Sequence, residues 1–197
     1  MAEGPPQLRL FVACELPDDV RQALAAVQDD LKRQGAGGLR WARPEGIHVT
    51  LKFLGGVDAS RLEAITSALA AAVPEPFELR LSASGGLGGF GGARLRVVWV
   101  GLEGDVGPLA ALAGRVEAAL APLGFPQERR PFAAHLTLAR APDQATGEER
   151  RRLAALLKRY RPPPLPSMIL TEVSLMRSVL GPGGSVYHRL ASFPPAQ

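Results

Sequence analysis

The chain has 197 residues, 46% of them hydrophobic, and a formal net charge of +4 from 23 basic and 19 acidic side chains, enough for one domain with a real core or two small lobes sharing one. A single cysteine, Cys14, excludes an intrachain disulfide, and a reducing compartment is the simple reading. The start carries no basic stretch leading into an apolar run, and no uninterrupted apolar stretch reaches the ~20 residues of a membrane span, so a cytoplasmic protein with no membrane association is expected.

Residues 8–16 read as a strand, and Pro17-Asp18-Asp19 as a helix start. Val20, Leu24, Val27 and Leu31 give helical spacing over 20–34, which Gly35, Gly37 and Gly38 end. A short strand at 39–41 and a turn at Pro44-Glu45-Gly46 lead into a strand over 47–54, closed by Gly55-Gly56. A second helix spans 58–73, with Asp58 or Ser60 as cap and Pro74 as stop. Strands at 77–84 and 94–100 flank a glycine-rich turn, a third helix runs over 106–123 to Gly124, and a strand covers 132–139. The fourth helix, 146–160, is capped by Thr146 with Glu149 three residues on. After a proline-rich connection at 161–166, strands at 168–177 and 185–193 pair as a final hairpin around Gly181 and Gly184.

The run Gly86-Leu87-Gly88-Gly89-Phe90-Gly91 satisfies G-x-G-x-x-G. A dinucleotide fingerprint needs a helix to follow it, so that phosphate meets a helix N-terminus. A run of β-formers follows instead, which excludes a Rossmann reading and favours a flexible hairpin or lid loop.

The most informative feature is a word written twice. His48-Val49-Thr50-Leu51 and His135-Leu136-Thr137-Leu138 are both H-x-T-L, 87 residues apart, and only one other histidine exists, His188. Strand side chains alternate, so each copy presents an imidazole and a hydroxyl on one face and aliphatic residues on the other. Each half of the chain has a helix leading into an H-x-T strand and another helix after it. That pattern suggests duplication, a pseudo-twofold arrangement, and antiparallel or mixed sheets carrying helices on one face. No linker splits residues 1–197, which read as one domain.

Two histidines and His188 lack a carboxylate or cysteine at ligand spacing, and threonine is a poor zinc ligand, so no metal and no cofactor is expected. No G-x-S-x-G is present, and Cys14 lies inside an apolar strand, which argues against a nucleophile. General acid and base catalysis on a phosphodiester remains. One neutral imidazole takes a proton from attacking water, one imidazolium protonates the departing oxygen, and Thr50 and Thr137 hold phosphoryl oxygens. The cation is Arg140 or Lys52. Strict alternation turns Arg140, five positions after His135, to the opposite face, so it reaches the site only if the strand ends or bulges near Ala139. Lys52 shares parity with His48 and Thr50. Nearly all the basic residues are arginine, which suits phosphate recognition, although abundant Arg, Ala, Gly and Pro together is also what a GC-rich coding bias produces.

These residues resemble the 2H phosphoesterase superfamily and, within it, the bacterial and archaeal RNA 2′,3′-cyclic phosphodiesterases, the 2′-5′ RNA ligase-like family. Arg9 to Ala13 with Glu15-Leu16-Pro17 is similar to the family's opening strand, and Arg40-Trp41 through His48 to Gly55 to its first signature. Arg96 to Gly101 resembles its central strand, and Phe132 with His135 to Arg140 its second signature. Ala134 departs from the family's usual proline, and Cys14 from a small aliphatic residue; neither bears on the chemistry. The resemblance implies a bilobal α+β fold of two antiparallel or mixed sheets, helices on the outer faces, the motifs facing across a cleft between pseudo-twofold lobes. It implies metal-free opening of RNA 2′,3′-cyclic phosphate ends, tRNA fragments among them, to 2′-phosphomonoesters, with His48 as proton donor and His135 as proton acceptor. The motifs are equivalent on paper, so residue types alone do not assign those roles. Reversible 2′-5′ ligation comes with the resemblance, and a monomer is expected. Arg40, Arg43, Arg129 and Arg130 are candidate RNA contacts beside the motif strands, with surface charge as the competing account; Trp41 more simply packs in the core. Phe11 is a candidate to stack on a terminal base, against core burial. His188 reads as a non-catalytic strand residue. Two alternatives stay open: a phosphodiesterase for small cyclic nucleotide-type phosphates, and an RNA-binding module without turnover.

Overall fold

The computed structural model describes residues 6–82, 88–90, 95–181 and 184–194. Its strands are β1 (Gln7–Glu15), β2 (Arg40–Trp41), β3 (His48–Asp58), β4 (Phe77–Leu81), β5 (Gly88–Phe90), β6 (Val97–Gly104), β7 (His135–Arg140), β8 (Ser167–Leu170), β9 (Val173–Gly181) and β10 (Gly184–Phe193). Its helices are α1 (Asp18–Leu31), α2 (Leu62–Leu69), α3 (Val106–Leu120) and α4 (Gly147–Arg159). The strands form one antiparallel sheet in the order β10-β9-β1-β3-β7-β6-β4-β8, with β2 beside β7 and β5 beside β6.

The two H-x-T strands lie side by side at the middle of this order, with three strands outward on each side. They share one ladder pair, Val49 with Leu136. Beyond it β3 leaves β7, and β2 takes over the β7 edge by pairing Arg40 with Arg140 and Trp41 with Ala139. The sheet therefore divides into two halves hinged at the motifs, which is compatible with the expected two-lobed α+β fold.

Periodicity places most elements within a few residues. Thr146 caps α4 with the expected reciprocal bonds to Glu149. Helix α1 stops at Leu31 and runs into a wider turn over Lys32–Ala36, where Gly35 takes φ of 108°. The helix expected at 58–73 is shorter: Asp58 caps a 3-10 turn, Ala59–Arg61, before α2. The single strand expected at 168–177 is two strands. Its first part, β8, pairs with β4 at one end of the sheet, while β9 pairs with β1 in the other half. The apolar pattern runs through the break because both pieces bury alternate residues in the same core. Of the glycine-rich run, residues 88–90 form β5 against β6; the expected hairpin or lid otherwise lies outside the described residues.

All four described helices cover one face. Leu24 and Val27 of α1, Ile65 and Leu69 of α2, Leu109 and Leu112 of α3, and Leu156 of α4 join one buried cluster with Val49, Leu51, Leu136 and Leu138 of the motif strands. Each such leucine contributes roughly 1.5–3 kcal/mol through burial. With its 3-10 extension, α3 is long and apolar enough to cross a membrane by length and composition. Its buried stripe and a buried ion pair identify it as a core helix.

That ion pair corrects one expectation. The β1–β3 ladder shifts register between Thr50 and Lys52, so Leu51 is an extra, bulged residue. The bulge turns Lys52 to the helix side, where its ammonium bonds the Glu117 carboxylate of α3 and, at 2.8 Å, the Pro126 carbonyl. Lys52 is 7% exposed and is not a cation of the open face. We expect Lys52→Met to lower the unfolding free energy by about 3–5 kcal/mol, because it strands a largely buried carboxylate. The double variant Lys52→Met/Glu117→Leu should recover most of it, as read by urea denaturation; an unchanged midpoint in the single variant would contradict the pair's structural role.

Candidate active site

The face opposite the helices carries His48, Thr50, His135 and Thr137, all half-buried, while the residues between them are buried on the helix side. Antiparallel register around the Val49–Leu136 pair sets His48 opposite Thr137 and His135 opposite Thr50. Two imidazoles and two hydroxyls thus alternate around one patch.

Both rings are held in the same way. The Nδ1 of His48 lies 2.8 Å from the Gly46 carbonyl oxygen, and the Nδ1 of His135 lies 2.7 Å from the Ala133 carbonyl oxygen. A carbonyl only accepts, so each Nδ1 carries the hydrogen and Nε2 is the basic nitrogen. In each case the carbonyl belongs to the residue two positions before the histidine.

The surroundings differ. Phe11 stacks on His48 at 4.7 Å, and Tyr187 meets both rings edge-on at 5.2 Å. Gly46 permits this, since a Cβ there would lie 3.1 Å from the Tyr187 ring. Burial beneath these rings pushes the His48 pKa below its ordinary value, against the Gly46 hydrogen bond and the Glu15 charge, which favour the protonated form, and with a smaller contribution from His135. His135 sits beside Trp99, ring centres 6.3 Å apart.

A second bulge repeats the first. The β6–β7 ladder shifts at Leu138, as the β1–β3 ladder shifts at Leu51. Ala139 therefore turns inward, 1% exposed, and Arg140 emerges on the open face, which is the condition the sequence set for it. Its counterpart in the first motif is Phe53, 69% exposed and 6.1 Å from Phe11. Sequence reasoning missed Phe53 because alternation put Lys52 in its place; only a bulge at Leu51 exposes it.

The other candidates scatter. Arg40 lies across the ladder from Arg140 and is 3.8 Å from Asp143. Arg43 is exposed just before the 3-10 turn that leads into β3, and Arg129 and Arg130 are exposed on the loop before β7. Phe11 is 2% exposed: it forms the floor under His48 and presents no open face to a base. Trp41 packs against the core. Cys14 is buried, which pushes its thiol up to about 12 and disqualifies it as a nucleophile. His188 is exposed on β10 opposite Arg177. Among the described residues, no three His, Cys, Asp or Glu side chains are grouped to hold a metal.

Two interleaved H-x-T pairs on adjacent strands of an α+β fold define a 2H phosphoesterase. The chain belongs to the 2′-5′ RNA ligase superfamily, whose family model matches residues 16–182. It is 31% identical over 186 residues to a protein of Archaeoglobus fulgidus named RNA 2′,3′-cyclic phosphodiesterase, covering 94% of this chain and 99% of that one. A protein of the same name from Methanothermobacter thermautotrophicus is 32% identical over 190 residues, covering 95% and 98%. Among solved structures, TT0787 of Thermus thermophilus superposes with a TM-score of 0.73 at 30% identity, covering 95% of this chain and 97% of that one. Escherichia coli LigT complexed with 3′-AMP also superposes at 0.73, with 28% identity and coverage of 98% and 100%.

NMR titration of the imidazoles should place the His48 midpoint below the ordinary value of about 6.5. Nitrogen shifts of both neutral rings should report the Nδ1–H form; an Nε2–H ring at either position would remove the carbonyl anchor.

Proposed function

We propose that the protein is a metal-independent phosphodiesterase that opens RNA 2′,3′-cyclic phosphate ends to 2′-phosphomonoesters. The observation carrying this reading is the pair of imidazoles, each anchored to a carbonyl through Nδ1 and each opposite the other motif's threonine. Relatives of similar length that bear the name RNA 2′,3′-cyclic phosphodiesterase support it.

Water attacks phosphorus and gives its proton to His135 Nε2 as the P–O3′ bond breaks. His48 Nε2, protonated beforehand, gives its proton to the departing O3′. A 3′-hydroxyl and a 2′-phosphate result, and the two imidazoles have exchanged charge states. Thr50 and Thr137 donate hydroxyl hydrogens to the non-bridging oxygens, where charge gathers in the transition state. Arg140, with Arg40 beside it, supplies positive charge for phosphates, and exposed Phe53 offers a ring on which the terminal base stacks. A 5′-hydroxyl in place of water, on the same site, gives a 2′-5′ linkage.

The test is an RNA ending in a 2′,3′-cyclic phosphate, incubated in EDTA, with the product phosphate located by digestion and mass spectrometry. A 2′-phosphate is expected; a 3′-phosphate, or loss of activity in chelator, overturns the reading. His48→Ala and His135→Ala should each lose about 10²–10⁴-fold in kcat. Thr50→Val and Thr137→Val should lose about 10–10²-fold each with KM little changed. Phe53→Ala should instead raise KM. A mononucleotide cyclic phosphate run in competition tests the small-molecule alternative, and strong preference for it would demote RNA.

A further inference from the structure

The two motif strands have matching neighbours. On β3, His48, Val49, Thr50 and Lys52 pair with Glu15, Cys14, Ala13 and Val12 of β1. On β7, His135, Leu136, Thr137 and Ala139 pair with Gly101, Val100, Trp99 and Val98 of β6. The registers correspond pair for pair, bulge included. At the position across from the histidine, however, one half carries a carboxylate and the other carries no side chain. A Cβ at Gly101 would crowd the Trp99 ring at 3.2 Å and Ser82 Cβ at 3.3 Å.

Glu15 is built in. The Ser174 hydroxyl, fully buried, donates to its Oε2 at 2.9 Å. Arg189 Nη1 lies 3.3 Å from the same oxygen and 3.1 Å from Glu172 Oε1. One cation bridges two carboxylates, with Arg21, itself paired with Asp18, lining the same pocket, and Glu15 still presents negative charge toward His48. Cross-strand neighbours stand about 4.5–5.5 Å apart at Cα, close enough for that charge to act on the ring without a hydrogen bond.

We propose that Glu15, fixed by Ser174 and Arg189 across the ladder from His48, is a positioning residue whose charge helps the buried His48 ring hold the proton it needs to act as the acid. This rests on the reading of the site as a paired-histidine phosphodiesterase and adds a group that opposes the burial of its acid. The groups facing His48 are Glu15 from β1, His135 from β7, Tyr187 from β10, and the Gly46 carbonyl of the preceding turn, whose Glu45 is exposed; Arg189 of β10 reaches Glu15. Phe11 and Tyr187 press the ring toward neutrality, and Glu15 opposes them. Removing the carboxylate lowers the affinity of His48 for its proton, so the acid is lost at lower pH.

The experiment is Glu15→Gln, which keeps an oxygen for Ser174, compared with the unaltered protein by two readouts: NMR titration of both motif imidazoles, and the pH profile of kcat/KM on the cyclic-ended RNA. We expect the His48 midpoint and the alkaline limb to move down together by about half to one pH unit, with the His135 midpoint unmoved. Above the limb kcat/KM falls about three- to tenfold, as that shift requires, and below it activity is unchanged. Glu172→Gln, at a more exposed position, frees Arg189 to neutralise Glu15 and moves His48 the same way, which keeps the test open if Glu15→Gln does not fold. A stationary His48 midpoint, equal shifts at both histidines, or a uniform loss at every pH overturns the role of Glu15. His48→Ala separates the two readings: retained turnover there overturns the proposed function, whereas an inactive His48→Ala with an unmoved midpoint in Glu15→Gln overturns only the inference.

Discussion

The site depends on how two strands that barely touch are held together. Between β3 and β7 there is one ladder pair, and buried polar contacts that cross between halves add to it. Gln28 of α1, 2% exposed, donates to the Leu138 carbonyl at 3.0 Å and to the Ala42 carbonyl at 2.9 Å, tying the first half's helix to the second motif's bulge. Glu117 of α3 meets Lys52 just after the first motif's bulge. Each half's leading helix thus anchors the other half's H-x-T strand. Side chains buried this deeply without partners would cost several kcal/mol, so the crossing contacts select one register and one spacing for the motifs.

The bulges decide what the open face offers. In a regular strand, every second residue after the histidine would join it, and the second motif would present Ala139 rather than Arg140. One extra residue at Leu51 and one at Leu138 reverse the parity beyond each threonine. The near edge of each strand then carries an imidazole and a hydroxyl, and the far edge an exposed ring or guanidinium. A ring emerges in one half and a guanidinium in the other, so a roughly symmetric scaffold acquires a side suited to a base and a side suited to phosphate.

The same division appears around the histidines. Their anchoring is alike, a carbonyl two residues back at 2.7–2.8 Å, and it gives both the same tautomer. Their surroundings are not alike. His48 lies under Phe11 and Tyr187 and across from Glu15, whereas His135 lies by Trp99 and across from a glycine. Acid and base chemistry at one phosphorus calls for two imidazoles of opposite charge state, and the two rings here stand in unlike surroundings.

Much of this was legible in the chain itself. The repeated H-x-T-L within apolar strands marked the imidazoles and hydroxyls that share the open face, because side-chain alternation is a local property that survives in any sheet. The Thr146–Glu149 cap and the α1 stripe were readable because they too are set by near neighbours along the chain. What sequence could not carry was long-range register. Lys52 and Phe53 exchange faces through a bulge fixed by β1, Phe11 lies under a ring rather than open to a base because β10 lays Tyr187 over it, and residues 168–177 divide between opposite ends of the sheet. Local periodicity determined which residues face which way within a strand; only tertiary pairing decided which strands meet, where a residue is looped out, and that a carboxylate at position 15 stands across from one histidine and not the other.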